Sequence, residues 1–178
     1  MNITNTYIQG VYILDNFKST DERGSFTKIY NSQTFEKLRL LLDIKETYYS
    51  ISNKNVIRGL HFQTPPYEQD KLVTVIKGSV QDVIVDLRKN SKTYGKYVVY
   101  ELSEKTNKAI LIPKGCAHGF KSLKDGTIML YMVSTVYDKE HDSGIKWNSI
   151  EFDWNIKNPI ISERDNNFIK LQDFNSPF

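Results

Sequence analysis

The sequence predicts an all-β fold, an antiparallel sandwich or barrel of the jelly-roll kind with a few short helices. Short runs of β-branched, aromatic and apolar residues recur at roughly ten-residue spacing along most of the chain. Turn residues such as Lys77-Gly78 and Asp125-Gly126 separate several of these runs. The 178 residues show no repeat and no Pro/Gly/Ser-rich linker, so we expect one domain over residues 1–178.

One helix is predicted among the first strands. Ser32 is its candidate N-cap, and apolar residues recur at helical spacing in the following segment, QTFEKLRLLLD. These apolar positions are Phe35, Leu38, Leu41 and Leu42. The charged residues Glu36, Lys37 and Arg39 lie on the other side of the helix.

The strands are predicted from alternation and from β-branched and aromatic content. In chain order they are VIRGLHFQ (56–63), two strands in LVTVIKGSVQDVIVDL (72–87) that meet at Lys77-Gly78, YVVYEL (97–102), AILIP (109–113) and one long strand in TIMLYMVSTVY (127–137). In the last of these, Tyr131 shares a face with Met129 and Val133, so its hydroxyl needs a hydrogen-bond partner among apolar neighbours.

The strand VIRGLHFQ carries two side chains that are costly to bury. Arg58 and His61 are three residues apart, so strict alternation places them on opposite faces of the strand. A bulge or kink at Gly59 would bring both to one cavity, and a glycine permits close approach of a ligand. The sequence therefore predicts a ligand cavity along this strand, in which neither charge is buried alone.

Composition excludes several classes of protein. Hydrophobic residues make up 39% and charged residues 25% of the chain, which is typical of globular rather than disordered or membrane proteins. The net charge of +3 is not clustered, so we expect no nucleic-acid partner, and no apolar run approaches the roughly 20 residues of a spanning helix. The N-terminus lacks the pattern of a signal peptide, and the single cysteine favours the cytoplasm.

The histidines argue against a metal site. His61, His118 and His141 include no His-x-His pair of the kind usual in metal-binding jelly rolls, so we expect no bound metal. Cys116 and His118 would face the same way on a strand and could form a thiolate–imidazole pair. A thiol that fills a gap in the core, beside a hydrogen-bonded histidine, is the simpler interpretation.

Seven segments of the chain, taken in order, resemble one protein family. They are DERGSF, VIRGLHFQ, QDKLV, GSVQDVIVDLRKNSKTYGKY, IPKGCAHGF, MLYMVSTVYDKEHDSGIKW and ISERD. Over about residues 7 to 168, the chain resembles the nucleotide-sugar 3,5-epimerase family. The resemblance implies a cupin jelly roll, or double-stranded β-helix, that uses no cofactor. It also implies a homodimer in which the N-terminal strand with DERGSF reaches the neighbouring subunit's site.

The resemblance also implies roles for individual residues. His61 matches the general base, Asp165 the carboxylate that orients it, Tyr131 the general acid on the opposite face of the sugar, and Lys71 the cation near the sugar's C4 oxygen. Tyr137 matches the aromatic residue that stacks on the nucleotide base. The positions expected to contact the substrate are Arg23, Phe26, Lys28, Tyr48, Arg58, His118, Tyr137, Asp142 and Arg164.

These residue types suit the chemistry of a 4-keto sugar. The keto group acidifies the hydrogens at C3 and C5, and a cation stabilises the enolate that forms when one is removed. A histidine with a pKa of about 6.5 is suited to remove that hydrogen as a proton at neutral pH. A proton donor on the other face then inverts the carbon.

Two positions depart from the pattern usual for dTDP sugars. Lys28 stands where glutamate is usual, and Glu46, Thr47 and Tyr48 stand where a Gln-x-Asn pair is usual. A lysine donates where a carboxylate accepts, so a GDP-linked 4-keto-heptose of a capsule or lipopolysaccharide pathway is an alternative to a dTDP-linked 4-keto-6-deoxyhexose. The number of inverted carbons stays open, since C3-only enzymes use the same His and Tyr, and inversion at both C3 and C5 is the first expectation.

Three rival functions use the same scaffold. They are a 3,4-ketoisomerase, a non-catalytic sugar-nucleotide-binding cupin and a metal-dependent cupin. The combination of His61, Lys71, Tyr131 and Asp165 favours the epimerase over a binding protein, and the histidine spacing opposes the metal-dependent enzyme.

Overall fold

The structure is a computed structural model that describes residues 2–40 and 42–178. In these residues two antiparallel sheets form the body of the protein. The first sheet contains, side by side, β1 (Ile3–Asn5), β2 (Tyr12–Asp15), β10 (Lys108–Ile112), β7 (Lys71–Lys77), β12 (Thr127–Val133) and β5 (Glu46–Ser52). The second sheet contains β13 (Asp142–Gly144), β6 (Ile57–Gln63), β11 (Cys116–Ser122), β8 (Ser79–Asp86) and β9 (Tyr97–Ser103).

The remaining elements are short. A separate hairpin is formed by β3 (Phe17–Asp21) and β4 (Gly24–Lys28), and all of its residues are exposed. The helices are α1 (Ser32–Lys37), α2 (Glu163–Asn166) and a 3-10 helix at Leu171–Asp173. Within residues 2–40 and 42–178, no helix is long and apolar enough to cross a membrane.

The two sheets pack face to face as a jelly-roll sandwich. Apolar side chains from both sheets meet between them, among them Val73 and Met129 from the first sheet and Ile84 and Phe120 from the second. Cys116 belongs to this core, and burial raises the pKa of its thiol to about 12. The thiol is therefore protonated at neutral pH, as expected of a side chain that fills the core.

Two further clusters cover the outer faces of the sheets. Helix α1 and the chain after it place Phe35, Leu40 and Leu42 on the first sheet. The C-terminal part of the chain places Ile150 and Trp154 on the second sheet. Both sheets are therefore covered on two faces, which explains why many of their strands are apolar throughout rather than alternating.

Two predicted elements are shorter than expected. Helix α1 begins after Asn31, whose side chain accepts a hydrogen bond from the Thr34 N–H at 2.9 Å, so Asn31 rather than Ser32 is the N-cap. The helix ends at Lys37, since Arg39 has a positive φ of 55°. Leu42 lies beyond the helix, and Leu41 lies outside the described residues.

The predicted strand over 127–137 ends at Val133. Beyond it, the Ser134 N–H donates to the Asp70 carbonyl at 3.0 Å, and the Asp70 N–H donates to the Ser134 side chain at 2.8 Å. These bonds turn the chain at the end of β12, and residues 134–141 form a loop despite the β propensity of Val136 and Tyr137.

The predicted bulge at Gly59 is confirmed. His61 pairs with His118 and Arg58 pairs with Phe120, so Gly59 and Leu60 together oppose one residue of β11, Gly119. Gly59 has a φ of +129°, and a Cβ there would lie 2.5 Å from the Gly119 Cα. The extra residue turns Arg58 and His61 toward the same cavity.

Candidate active site

An open cavity of about 350 Å³ lies between the two sheets at one end of the sandwich. Both sheets supply its walls. Nine of the residues predicted to act on or contact the substrate line it: Tyr48, Arg58, His61, Lys71, His118, Tyr131, Tyr137, Asp142 and Arg164. The sequence blocks that are far apart in the chain therefore meet at one site.

His61 and Asp165 form a hydrogen-bonded pair at the wall of the cavity. Nε2 of His61 lies 2.9 Å from Oδ1 of Asp165, a residue of the short helix α2 that is almost fully buried. The other carboxylate oxygen accepts the Gly59 N–H at 3.0 Å, so the bulge residue also holds Asp165. Nε2 also lies 2.9 Å from an Arg164 nitrogen, which can only donate, so the ionised carboxylate of Asp165 is the partner that assigns the proton to Nε2. Within the described parts of the chain, Nδ1 of His61 makes no hydrogen bond, which leaves it as the nitrogen able to accept a proton.

The electrostatics of this pair favour a neutral base beside an ionised carboxylate. Burial is the main cause that lowers the pKa of His61 below its usual value, although Asp165 opposes the shift. For Asp165, burial raises the pKa, but the hydrogen bonds from His61 and the Gly59 N–H outweigh it and hold the pKa well below the usual range. His61 is therefore neutral and able to act as a base at neutral pH.

Lys71 supplies a cation from the first sheet. Its side chain is buried, and Nζ lies 3.4 Å from the His61 carbonyl oxygen. Burial lowers the pKa of Lys71 to about 8, and the nearby Asp142 partly opposes this shift. The ammonium group is thus charged at neutral pH and poorly hydrated, which strengthens its interaction with an oxyanion.

Tyr131 faces the cavity from the first sheet, with Tyr48 beside it. The two residues are paired across β12 and β5, and their rings are stacked with centroids 4.8 Å apart. The Tyr131 hydroxyl lies 3.4 Å from Oγ of Ser50, which is its long and weak hydrogen-bond partner. Burial raises the pKa of Tyr131 far above that of an ordinary tyrosine, so the phenol remains protonated and able to donate.

His118 has a buried carboxylate partner that the sequence reasoning missed. Nε2 of His118 lies 2.9 Å from Oδ2 of Asp82, and both side chains are almost fully buried. Asp82 stands alone as a charged residue inside the apolar segment VQDVIV of β8. That is the same signal that pointed to His61, and it could have identified Asp82 as well.

Two arginines give the cavity a positive wall. Arg58 donates to the Ser52 hydroxyl at 3.0 Å and to the Ile51 carbonyl at 3.2 Å, and within residues 2–40 and 42–178 it pairs with no carboxylate. Arg164 bonds to Asp142 and lies 2.9 Å from Nε2 of His61. Arg58 therefore keeps its charge available for a phosphate group.

The remaining predicted residues divide into two groups. Tyr137 lies at the mouth of the cavity with 59% of its surface exposed, as a stacking residue requires. Arg23, Phe26 and Lys28 lie on the exposed β3–β4 hairpin, and the cavity as the described residues form it includes none of the three. In one chain the structure therefore does not bring the hairpin residues to the site.

The donors of the site do not form a metal-binding set. The described residues contain no group of three or more His, Cys, Asp or Glu side chains arranged to hold a metal ion. His61 and His118 each bond to a separate carboxylate instead. The expectation that the protein uses no metal or cofactor stays a prediction.

Comparison with known proteins identifies the family. The profile described as dTDP-4-dehydrorhamnose 3,5-epimerase matches residues 5–173. The chain belongs to the dTDP-4-dehydrorhamnose 3,5-epimerase family. Among its relatives, the dTDP-4-dehydrorhamnose 3,5-epimerase of Shigella flexneri is 39% identical over 176 residues, which cover 97% of each chain.

Solved structures of this epimerase family have the same fold. The Bacillus anthracis enzyme, with TDP and pyrophosphate bound, is 37% identical with a TM-score of 0.92, and the match covers 95% of this chain and 98% of that one. The Legionella pneumophila enzyme, in complex with dTDP-4-keto-L-rhamnose, is 33% identical with a TM-score of 0.92, covering 98% and 94%. The predicted cupin jelly roll and the predicted class, an isomerase of nucleotide sugars, are thereby confirmed.

Proposed function

We propose that this epimerase inverts C3 and C5, or C3 alone, of a 4-keto sugar linked to a nucleoside diphosphate. The observation that carries the proposal is a neutral histidine on one sheet, bonded to a buried carboxylate from helix α2, and a protonated phenol on the other sheet, facing one cavity. Lys71 lines the same cavity, with Nζ beside the His61 carbonyl. Base, acid and oxyanion partner are the three groups that inversion next to a ketone requires.

The geometry supports the following sequence of proton transfers. His61 Nδ1 removes the proton from the carbon next to the ketone, and Asp165 stabilises the imidazolium that forms. The electrons move to the C4 oxygen, where the ammonium group of Lys71 stabilises the enolate. Tyr131 returns a proton to the other face, which inverts the carbon. Solvent must then take the proton from His61 and return one to Tyr131.

The nucleotide is proposed from two lines of reasoning that differ. The relatives and the ligand-bound structures are named for dTDP sugars, which favours dTDP. Lys28 and Tyr48 replace residues usual for dTDP sugars, which favours a GDP-linked sugar such as a 4-keto-heptose. We adopt dTDP as the first candidate, and tighter binding of GDP than of dTDP in calorimetry would reverse this choice.

We also propose that the hairpin β3–β4 completes the site of a second copy in a homodimer. The hairpin is bonded to neither main sheet, and Phe17 and Phe26 leave more than half of their surface exposed. Such exposed aromatics on a projecting hairpin fit a partner surface. Separately from the dimer, we propose that residues 1–178 form one epimerase domain. We also propose that the enzyme acts in the cytoplasm, in the synthesis of a surface polysaccharide.

Deuterium incorporation tests the proposed reaction. In D₂O, the protein should introduce deuterium at C3 of dTDP-4-keto-6-deoxyglucose or its GDP-linked counterpart, and the His61→Asn and Tyr131→Phe variants should not. NMR of the product also separates the rivals, since a 3,4-ketoisomerase yields a 3-keto sugar and a binding protein leaves the substrate unchanged. Normal incorporation by both variants would contradict the assigned base and acid.

A further inference from the structure

The loop over residues 134–141 is held at the cavity mouth through three consecutive residues. The Val136 carbonyl, the Tyr137 N–H and the Asp138 N–H each bond to a side chain from a strand. The two side chains are those of Gln63 on β6 and Glu46 on β5. Since β6 and β5 belong to different sheets, the loop is tied to both walls of the cavity.

Gln63 makes the larger share of these bonds. Its amide Nε2 donates to the Val136 carbonyl at 3.2 Å and to the Tyr67 carbonyl at 2.8 Å, and Oε1 accepts the Asp138 N–H at 2.7 Å. Only 2% of the residue is exposed. Both amide hydrogens are used, so a residue with only acceptors cannot replace this side chain.

Glu46 holds Tyr137, which lies between Val136 and Asp138, the two residues bonded to Gln63. Its Oε2 accepts the Tyr137 N–H at 2.7 Å. This bond needs an acceptor but not a charge, so glutamine could make it as well. Gln63 and Glu46 thus fix the backbone on both sides of the Tyr137 ring, although the ring itself is largely exposed.

We propose that Gln63 and Glu46 are positioning residues that hold Tyr137 in place for the nucleotide base. This inference deepens the proposed function and rests on it. A ring that is fixed before binding loses less conformational freedom when the base stacks on it. When the loop leaves this position, the apparent affinity falls by the fraction of time that it is away.

The test is nucleotide binding by calorimetry. In Gln63→Glu, a carboxylate oxygen replaces the amide nitrogen and faces the Val136 and Tyr67 carbonyls. The loop then loses its bond at Val136, and the segment with Tyr67 loses its bond as well, while the side chain keeps its size. We expect dTDP, or GDP if that is the nucleotide, to bind about tenfold more weakly, the scale of one lost buried hydrogen bond. Pyrophosphate, which has no base, should bind as it does to the wild type, and the loss should appear in KM more than in kcat.

A double-mutant cycle separates positioning from general damage. In the Tyr137→Ala background, Gln63→Glu should cause no further loss of nucleotide affinity, because the group through which it acts is gone. Glu46→Leu should weaken binding, whereas Glu46→Gln keeps an acceptor and should retain most of the affinity. Thr74→Val on β7 is the matched control, since it removes a hydrogen bond from the Thr74 hydroxyl to the Lys108 carbonyl on β10, away from the residues that line the cavity.

The outcomes are distinct. If Gln63→Glu binds the nucleotide as well as the wild type does, or weakens binding equally with and without Tyr137, the positioning role is wrong. Equal loss of pyrophosphate and nucleotide binding would also contradict it, because that indicates a damaged cavity. If the wild type binds neither dTDP nor GDP, the proposed function fails, and the role of Gln63 and Glu46 fails with it.

Discussion

Replacing Asp165 by asparagine should slow proton abstraction with little change in size. In the wild type, one carboxylate oxygen faces Nε2 of His61 and the other accepts the Gly59 N–H. An asparagine cannot satisfy both contacts in the same way. If its oxygen keeps the Gly59 N–H, its amide hydrogens face His61 and favour the tautomer with the proton on Nδ1, which cannot act as the base.

The size of the effect follows from the charges. As His61 becomes an imidazolium, its charge and that of Asp165 lie about 4 Å apart, which is worth about 4 kcal/mol at an effective dielectric constant of about 20. That corresponds to about 10³-fold in rate, since about 1.4 kcal/mol is tenfold. Because charge transfer is incomplete in the transition state, we expect kcat to fall by about 10²- to 10³-fold.

The measurement is deuterium incorporation at C3 of the 4-keto sugar, followed by NMR under saturating substrate. Calorimetry with dTDP and the unfolding midpoint provide the controls, because Asp165 is buried and its replacement also affects stability. An Asp165→Asn protein that still binds the nucleotide and incorporates deuterium within about threefold of the wild-type rate would refute this account of the base.

Two further predictions concern the pH profile and the bulge. The value of kcat/KM should rise with pH as His61 loses its proton, at a pKa below the usual histidine value, and fall again near pH 8 as Lys71 becomes neutral. In Lys71→Arg the fall near pH 8 should disappear, and its persistence would exclude Lys71 as its cause. Gly59→Ala should lower the free energy of unfolding by about 2 to 5 kcal/mol in urea titrations, because strain at positive φ adds to a backbone clash. Gly126→Ala, where a Cβ meets no described atom within 4 Å, should cost only about 1 kcal/mol, and equal losses would contradict the clash.

Strand positions were predictable because they depend on local patterns. The two strands that meet at Lys77-Gly78 lie where the alternation and the turn predicted them. The ends of α1 and β12 were not predictable in this way. They depend on the Asn31 cap and on the bonds between Ser134 and Asp70, which join segments that are far apart in the chain.

The site was predictable where a single residue breaks a local pattern. Arg58, Gly59 and His61 interrupt an apolar strand, and the structure places the bulge at this glycine. Gln63 gave no such signal, because a glutamine at the end of a strand is unremarkable. Its importance lies in three bonds to backbone groups of two loops, and no side-chain pattern in the sequence records backbone partners.

Because the proposed base, His61, and the proposed acid, Tyr131, lie on different sheets, the hydrophobic core affects catalysis as well as stability. His61 is on β6 and Tyr131 on β12, and these strands belong to different sheets, so the packing of the side chains between the sheets affects how far apart the two residues lie. Phe120 is one of these buried side chains and also lines the cavity. Proton transfer depends on tenths of an ångström, and close-packed interiors transmit such changes. The sizes of the core side chains therefore affect the separation of the proposed base and acid. They have to suit the width of the sugar ring as well as the stability of the fold.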